Sequence, residues 1–65
     1  MMTNKPKVNL VDENGNIFNL LSICSRALRD ARLPGAAEMR ARVFKASSYE
    51  EALIIISEYV VLEYN

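Results

Sequence analysis

Apolar positions along this chain change period twice, and the changes mark its elements. From Lys7 to Val11 the pattern alternates weakly, with Val8 and Leu10 on one face and Asn9 and Val11 on the other, which predicts a short strand. Asp12-Glu13-Asn14-Gly15 follows with turn chemistry, because Asn-Gly tolerates the positive φ needed where a chain reverses. Two continuations compete: Asn14-Gly15 closes a β-hairpin into Asn16-Ile17-Phe18, or Asn16 caps a helix. The downstream periodicity favours the helix. On a 100° wheel Ile17, Leu20, Leu21, Cys24, Ala27, Leu28 and Ala31 form one stripe, with Asn19, Ser22, Arg26 and Arg29 opposite. Asn16 is a preferred N-cap residue, and arginines near the far end suit the negative pole of the helix dipole. Leu33-Pro34-Gly35 then stops this first helix.

A second helix is predicted from about Ala36 to Phe44, with Ala36, Met39 and Val43 facing inward and Glu38 four residues before Arg42 as a surface ion pair. The third helix starts at Ser48-Tyr49-Glu50-Glu51, which fits a capping box. Its core stripe is Tyr49, Ala52, Leu53, Ile56, Tyr59 and Val60. It also has an apolar back, where Ile54 pairs with Val61 and Ile55 with Leu62 at seven-residue spacing, flanking Glu51 and Glu58. A helix apolar on nearly all sides needs burial on nearly all sides. Two thin partner helices do not cover that surface, so Ile54, Ile55, Val61 and Leu62 are the expected oligomer interface. The tail Val60–Tyr64 has strong β propensity and has two readings. It either continues the third helix or leaves it to pair with Val8–Val11, placing Val60, Leu62 and Tyr64 on one face. The fold class expected is mainly α with a small β element (α+β). Residues 1–6 form a flexible lead-in and 7–65 a single small domain.

Size sharpens the case for a partner. Sixty-five residues make a marginal core, and such chains usually add disulfides, a metal or another subunit. Cys24 is the only cysteine and there is no histidine, so an intrachain disulfide and a Cys/His metal site are excluded. Oligomerisation is the remaining staple, and a composition 51% apolar supports it, although a monomer is also compatible. Met1–Lys7 has no apolar signal-peptide core, and Ala52–Leu62 is far short of the ~20 residues that cross a bilayer. A soluble protein of the cytoplasm, without membrane partners, is expected.

Charge is balanced overall but segregated. Arg26 to Lys45 carries six bases against Asp30 and Glu38, a balance of +4, whereas Ala46 to Asn65 carries four acids and no base, a balance of −4. Such polarity either binds an anion, aligns subunits, or makes two solvated faces. Individual candidates for chemistry read as structure. Cys24 lies mid-stripe with no histidine to activate it and reads as a small buried hydrophobe. Asp12 and Glu13 read as turn formers, and Gly15 as a geometric requirement too solitary to cradle a phosphate. Tyr49, Tyr59 and Tyr64 fit packing with a hydroxyl at the rim. No catalytic residue, metal ligand or cofactor is assigned, and an enzyme is not expected. Arg26, Arg29, Arg40, Arg42 and Lys45 are the candidate ligand or partner surface, because arginines gathered across an oligomer suit a phosphate-bearing ligand. Nucleic acid is not favoured: the net charge is zero, and Phe18 and Phe44 stand at flanking positions.

Together, Val8–Val11, Asn14-Gly15-Asn16, Phe18, Leu20-Leu21, Arg26-Ala27-Leu28-Arg29, Tyr49 and Glu58-Tyr59-Val60 resemble a family of very small proteins encoded by phages and mobile elements of Gram-positive bacteria. The chain departs from that pattern at Asp12-Glu13-Asn14-Gly15, where Gly-x-Asp-Gly is usual, and at Leu33-Pro34-Gly35, where a single glycine ends the first helix. The family has no established catalytic residues to carry over. The resemblance implies an accessory protein that acts by binding, in one form as counter-defence: inhibiting a host immune protein or sequestering a nucleotide signal. The alternative is a small nucleic-acid-binding regulator using Arg26, Arg29, Arg40 and Arg42.

Overall fold

Strand propensity at the two ends of the chain resolves into a single pairing. The computed structural model describes residues 5–64, in the order β1 (Lys7–Asn9), α1 (Ile17–Asp30), α2 (Ala36–Phe44), α3 (Tyr49–Ser57) and β2 (Val61–Glu63). β1 and β2 form a two-stranded parallel sheet with Lys7 beside Val61, Val8 beside Leu62 and Asn9 beside Glu63. This is a small α+β architecture of three helices and one short sheet. Of the lead-in expected over 1–6, residues 1–4 lie outside the described residues. Its last two residues are tied down: the Pro6 carbonyl accepts from the Val61 N–H (2.9 Å), and Lys5 Nζ donates to the Ser57 carbonyl (3.2 Å).

The strand is shorter than the alternation from Lys7 to Val11 suggests, because the chain turns early. The Leu10 N–H still reaches the Glu63 carbonyl at 2.7 Å, but the Val11 N–H donates to Asn9 Oδ1 (2.8 Å) and the Glu13 N–H to the Leu10 carbonyl (3.0 Å). The residue with positive φ is Asp12, at 65°, rather than Asn14 or Gly15. A short polar side chain makes that conformation tolerable for aspartate. Gly15 is not the geometric requirement expected, since a Cβ there would meet only Tyr49 Oη at an ordinary 3.5 Å. The Asn residues settle what comes next as a helix. Asn14 Oδ1 accepts from the Asn16 N–H, and Asn16 Oδ1 caps α1 by accepting from the Phe18 N–H, each at 2.8 Å.

α1 buries Leu20, Leu21, Cys24 and Leu28 as its stripe requires. Ser25 is buried beside them, Ile23 is partly buried, and Ala31, expected on the stripe, is exposed at the helix end. The helix stops through Arg32 before Pro34 or Gly35 is reached. The Leu33 N–H returns to the Leu28 carbonyl (2.9 Å) and the Arg32 N–H to the Arg29 carbonyl (3.0 Å), with Arg32 left-handed at φ 58°. This is a Schellman motif with arginine where glycine is usual. Gly35 does need to be glycine: its φ is 111°, and a Cβ would lie 3.1 Å from the Tyr59 ring.

α2 occupies its predicted span, with Met39 and Val43 buried and Ala36 packed against the core. At α3, Ser48 Oγ accepts from the Glu51 N–H at 3.0 Å, so half of the capping box forms. The other half is displaced by one residue, because the Glu51 carboxylate takes the Ser47 N–H and hydroxyl rather than the Ser48 N–H. α3 is also shorter than a continuous apolar helix. The Ser57 hydroxyl donates to the Ile54 carbonyl (2.6 Å), and the Glu58 and Tyr59 N–H groups bond three residues back, which tightens the last turn. Val60 then enters the core and β2 begins. The seven-residue pairing of Ile54 with Val61 and Ile55 with Leu62 therefore does not exist on one helix. Ile55 belongs to this chain's own core and is unavailable to a partner, while Tyr49, placed on the core stripe by periodicity, is exposed.

The core is centred on Cys24, Met39 and Ile56, one from each helix, with Val8, Leu10 and Val60 closing it on the sheet side. Among the described residues two non-glycine positions have positive φ, Asp12 and Arg32, and the long side chain of Arg32 at the end of α1 makes it the one to relieve by substitution. Arg32→Gly should raise the unfolding free energy by about 1 kcal/mol, since a left-handed conformation costs a side-chain-bearing residue about that much. For a domain of this size that is a Tm gain of roughly 4–8 °C. Arg32→Ala should give no such gain, and equal melting of the two variants would show that the cap is unstrained.

Candidate ligand-binding groove

The arginines of the basic segment separate into two groups once the helices are in place. On α1, Phe18, Ser22, Ser25, Arg26 and Arg29 follow one another at helical spacing along one side. On α2, Arg40 and Phe44 are one turn apart. The short connection between α1 and α2 folds these two rows together around a groove of about 360 Å³, lined by Phe18, Leu21, Ser22, Ser25, Arg26, Arg29, Arg40 and Phe44. Three of the five expected surface residues (Arg26, Arg29 and Arg40) thus share one site. Among the described residues none of the three guanidiniums is engaged in an ion pair or a hydrogen bond. Their charge is available to an incoming anion.

Arg42 and Lys45 are not part of it. Arg42 does not pair with Glu38, four residues back on its own helix. Its guanidinium instead grips Glu58 with both nitrogens, Nη1 to Oε1 at 2.6 Å and Nη2 to Oε2 at 3.2 Å, and Nη1 also donates to the Tyr59 hydroxyl at 3.1 Å. The guanidinium carbon lies 5.8 Å from the centre of the Tyr59 ring, so the side chain is held by charge, hydrogen bonds and the π face together. An intrahelical pair worth a few tenths of a kcal/mol does not compete with that bidentate geometry. Lys45 is the C-cap residue of α2 and does not line the groove.

The aromatic contribution was not visible in the sequence. Phe18 and Phe44, 26 residues apart in number, meet with ring centres 6.1 Å apart and planes tilted by 42°. Both are more than 60% exposed, an unusual position for two phenylalanines in a chain short of core. They form the wall between the arginine groove and a second, mostly apolar one of about 340 Å³, which reaches Ile17, Val43, Ala46, Tyr49 and Ala52. At the floor of the arginine groove, Ser25 is 2% exposed, and its hydroxyl has no hydrogen-bond partner among the described residues. The repeat Phe18, Ser22, Ser25/Arg26, Arg29 was the available signal for this face. It was masked because Ser25 falls next to the apolar stripe.

A separate apolar groove of about 420 Å³ lies between α3 and β2, lined by Leu53, Ile54, Ser57, Val60, Val61, Leu62 and Tyr64. It brings together Ile54, Val61 and Leu62 of the expected oligomer interface. They converge from helix and strand, and Ile55 points elsewhere. No group of acids, cysteine or histidine among the described residues could hold a metal ion, and no described helix is long and apolar enough to cross a membrane.

Compared with protein-family models, curated proteins and solved structures, the chain matches none.

The Arg42–Glu58 grip makes a pH prediction. The hydrogen bond from Arg42 holds the Glu58 carboxyl below its ordinary 4.5, and the Ser47 hydroxyl does the same for Glu51. A carboxyl depressed in the folded state stabilises the fold above its unfolded value, and that contribution is lost as pH falls through the folded one. Urea unfolding across a pH series should show stability falling below pH 4.5, with a shallower fall for Arg42→Gln. Parallel profiles for the two proteins would show that the pair is not linked to folding.

Proposed function

We propose that this chain is a small binding protein, without a reaction of its own, that takes up a phosphate-bearing ligand in the α1–α2 groove. The observation that carries this reading is the convergence of Arg26, Arg29 and Arg40 on one groove with no acidic partner among the described residues. Arg42, by contrast, is held in the frame by its pair with Glu58. Three unpaired guanidiniums across two helices repel one another, and a multivalent anion relieves that repulsion while accepting forked hydrogen bonds.

The same reading makes the protein a homo-oligomer. Ile54 is 62% exposed and Val61 41%, both beside Leu62 in one apolar groove, and among the described residues β2 has no neighbour besides β1. A second copy of the chain covers that surface and gives the small core the support that a disulfide or metal provides elsewhere. In the setting implied by the resemblance to phage and mobile-element proteins, capture of the ligand in the host cytoplasm serves counter-defence.

Two measurements test these statements separately. In titration calorimetry at low salt, pyrophosphate should bind the wild-type chain and bind Arg42→Gln equally well. Arg26→Gln and Arg40→Gln should each weaken it roughly tenfold or more, the scale of a charged hydrogen bond. No heat with pyrophosphate, or equal loss in Arg42→Gln, would remove the anion site. Light scattering after size exclusion should give a mass above one chain, reduced to one chain by Ile54→Asp with Val61→Asp. A wild-type monomer at micromolar concentration would end the oligomer reading.

A further inference from the structure

Phosphate alone does not explain the other half of the groove. Arg26, Arg29 and Arg40 satisfy an anion, but nothing in that chemistry requires Phe18 and Phe44 to leave the core and stand exposed at the groove's end. Resting on the anion-binding reading, we propose that the ligand is a phosphate-linked nucleobase, its base against the Phe18–Phe44 pair and its phosphate on Arg26, Arg29 and Arg40.

Three features point the same way. The rings meet at 42°, so they do not cover each other face to face, and aromatic area remains open for a planar group. Every base has a π face, and base–aromatic stacking beside a cationic track is the usual grammar of nucleotide and single-strand binding. The groove's volume of about 360 Å³ falls in the range of small-ligand sites, and the apolar groove across the Phe18–Phe44 wall extends the space on the base side. Finally, the Ser25 hydroxyl is buried at the floor without a partner. An unsatisfied buried hydroxyl is costly, and a helical serine can normally relieve the cost by bonding the carbonyl one turn back. Ser25 lines the groove beneath the arginines, and a ligand that opens the groove by a small shift would give its unpaired hydroxyl a polar partner.

Other phosphate carriers fit less of this. A sugar phosphate uses the arginines and leaves the rings bare. An acidic peptide offers no obligatory flat π surface. A duplex keeps its bases stacked inside and meets proteins through more phosphate contacts than three arginines supply. A free nucleotide and a single strand present the same recognition unit, and the experiment separates them.

The test compares pyrophosphate, ribose 5-phosphate, a purine mononucleotide and a short oligothymidylate by calorimetry on the intact protein. The mononucleotide or the oligonucleotide should bind at least roughly tenfold tighter than ribose 5-phosphate, as stacking of one base provides. Phe18→Ala and Phe44→Ala should each shrink that margin, with a smaller effect on pyrophosphate affinity. Both side chains are exposed, so the variants should remain folded, which circular dichroism checks. Ser25→Ala should melt no lower than wild type and yet bind the nucleotide more weakly. A tighter oligonucleotide assigns the site to single strands, and a tighter mononucleotide assigns it to free nucleotides; either supports the proposal. Equal affinity for ribose 5-phosphate and both base-bearing ligands would overturn it and leave the anion site standing. Absence of binding by pyrophosphate and all other probes would overturn the anion site as well.

Discussion

The parallel pairing of β1 with β2 is the constraint under which everything else is arranged. Parallel strands cannot be joined by a tight turn and need a crossover of a dozen residues or more. Here the whole helical body, Ile17 to Ser57, is that crossover. Closing a loop of this length costs roughly 3.5 kcal/mol of chain entropy beyond a constant, and three pairs of strand residues do not repay it alone. Burial of Val8, Leu10 and Val60 against the helices supplies the rest, so sheet and core form together or not at all. The same pairing draws Pro6 and Lys5 into the domain and ends α3 early enough for Val60 to turn inward.

On the opposite side of α2 from the groove, Gly35, Tyr59, Arg42 and Glu58 fix how the helices meet. The Tyr59 ring lies against Gly35, where even a methyl group would be crowded, and Arg42 spans Tyr59 and Glu58. This cluster joins the α1–α2 connection to the end of α3, and so sets the approach of the two helices whose outer rows make the arginine groove. One stretch of basic sequence thus does two jobs: Arg42 is spent on holding the frame, and Arg26, Arg29 and Arg40 are left without partners in it.

Much of this frame was legible in the sequence because it is local. Asn16 and Ser48 announce helix starts through hydrogen bonds within three residues, and the span of α2 follows from the spacing of Met39 and Val43. What was illegible depends on residues far apart in number. Val60–Tyr64 has two readings, helix continuation or a strand beside Val8–Val11, and only the presence of β1 as a partner decides for the strand. Glu38 at helical spacing looks like the natural partner of Arg42 until Glu58, sixteen residues away, proves better placed. The candidate site divides in the same manner: its arginines are conspicuous as a cluster, whereas Phe18 and Phe44 meet only after α1 and α2 fold back, and Ser25 reads as one more helical serine until its hydroxyl is found without a partner.

Cys24 holds a different kind of information. It is the chain's single thiol, it sits at the centre of the core with no exposed surface, and burial pushes its pKa up to about 11. Alkylating reagents need an accessible thiolate, so the native molecule is closed to them twice over, by access and by protonation. Modification can then proceed only through excursions that part α1 from α2 and α3, which makes its rate a clock for core opening written into the wild-type chain. Any ligand or second subunit that holds the helices together must slow that clock, without a label or a mutation to report it.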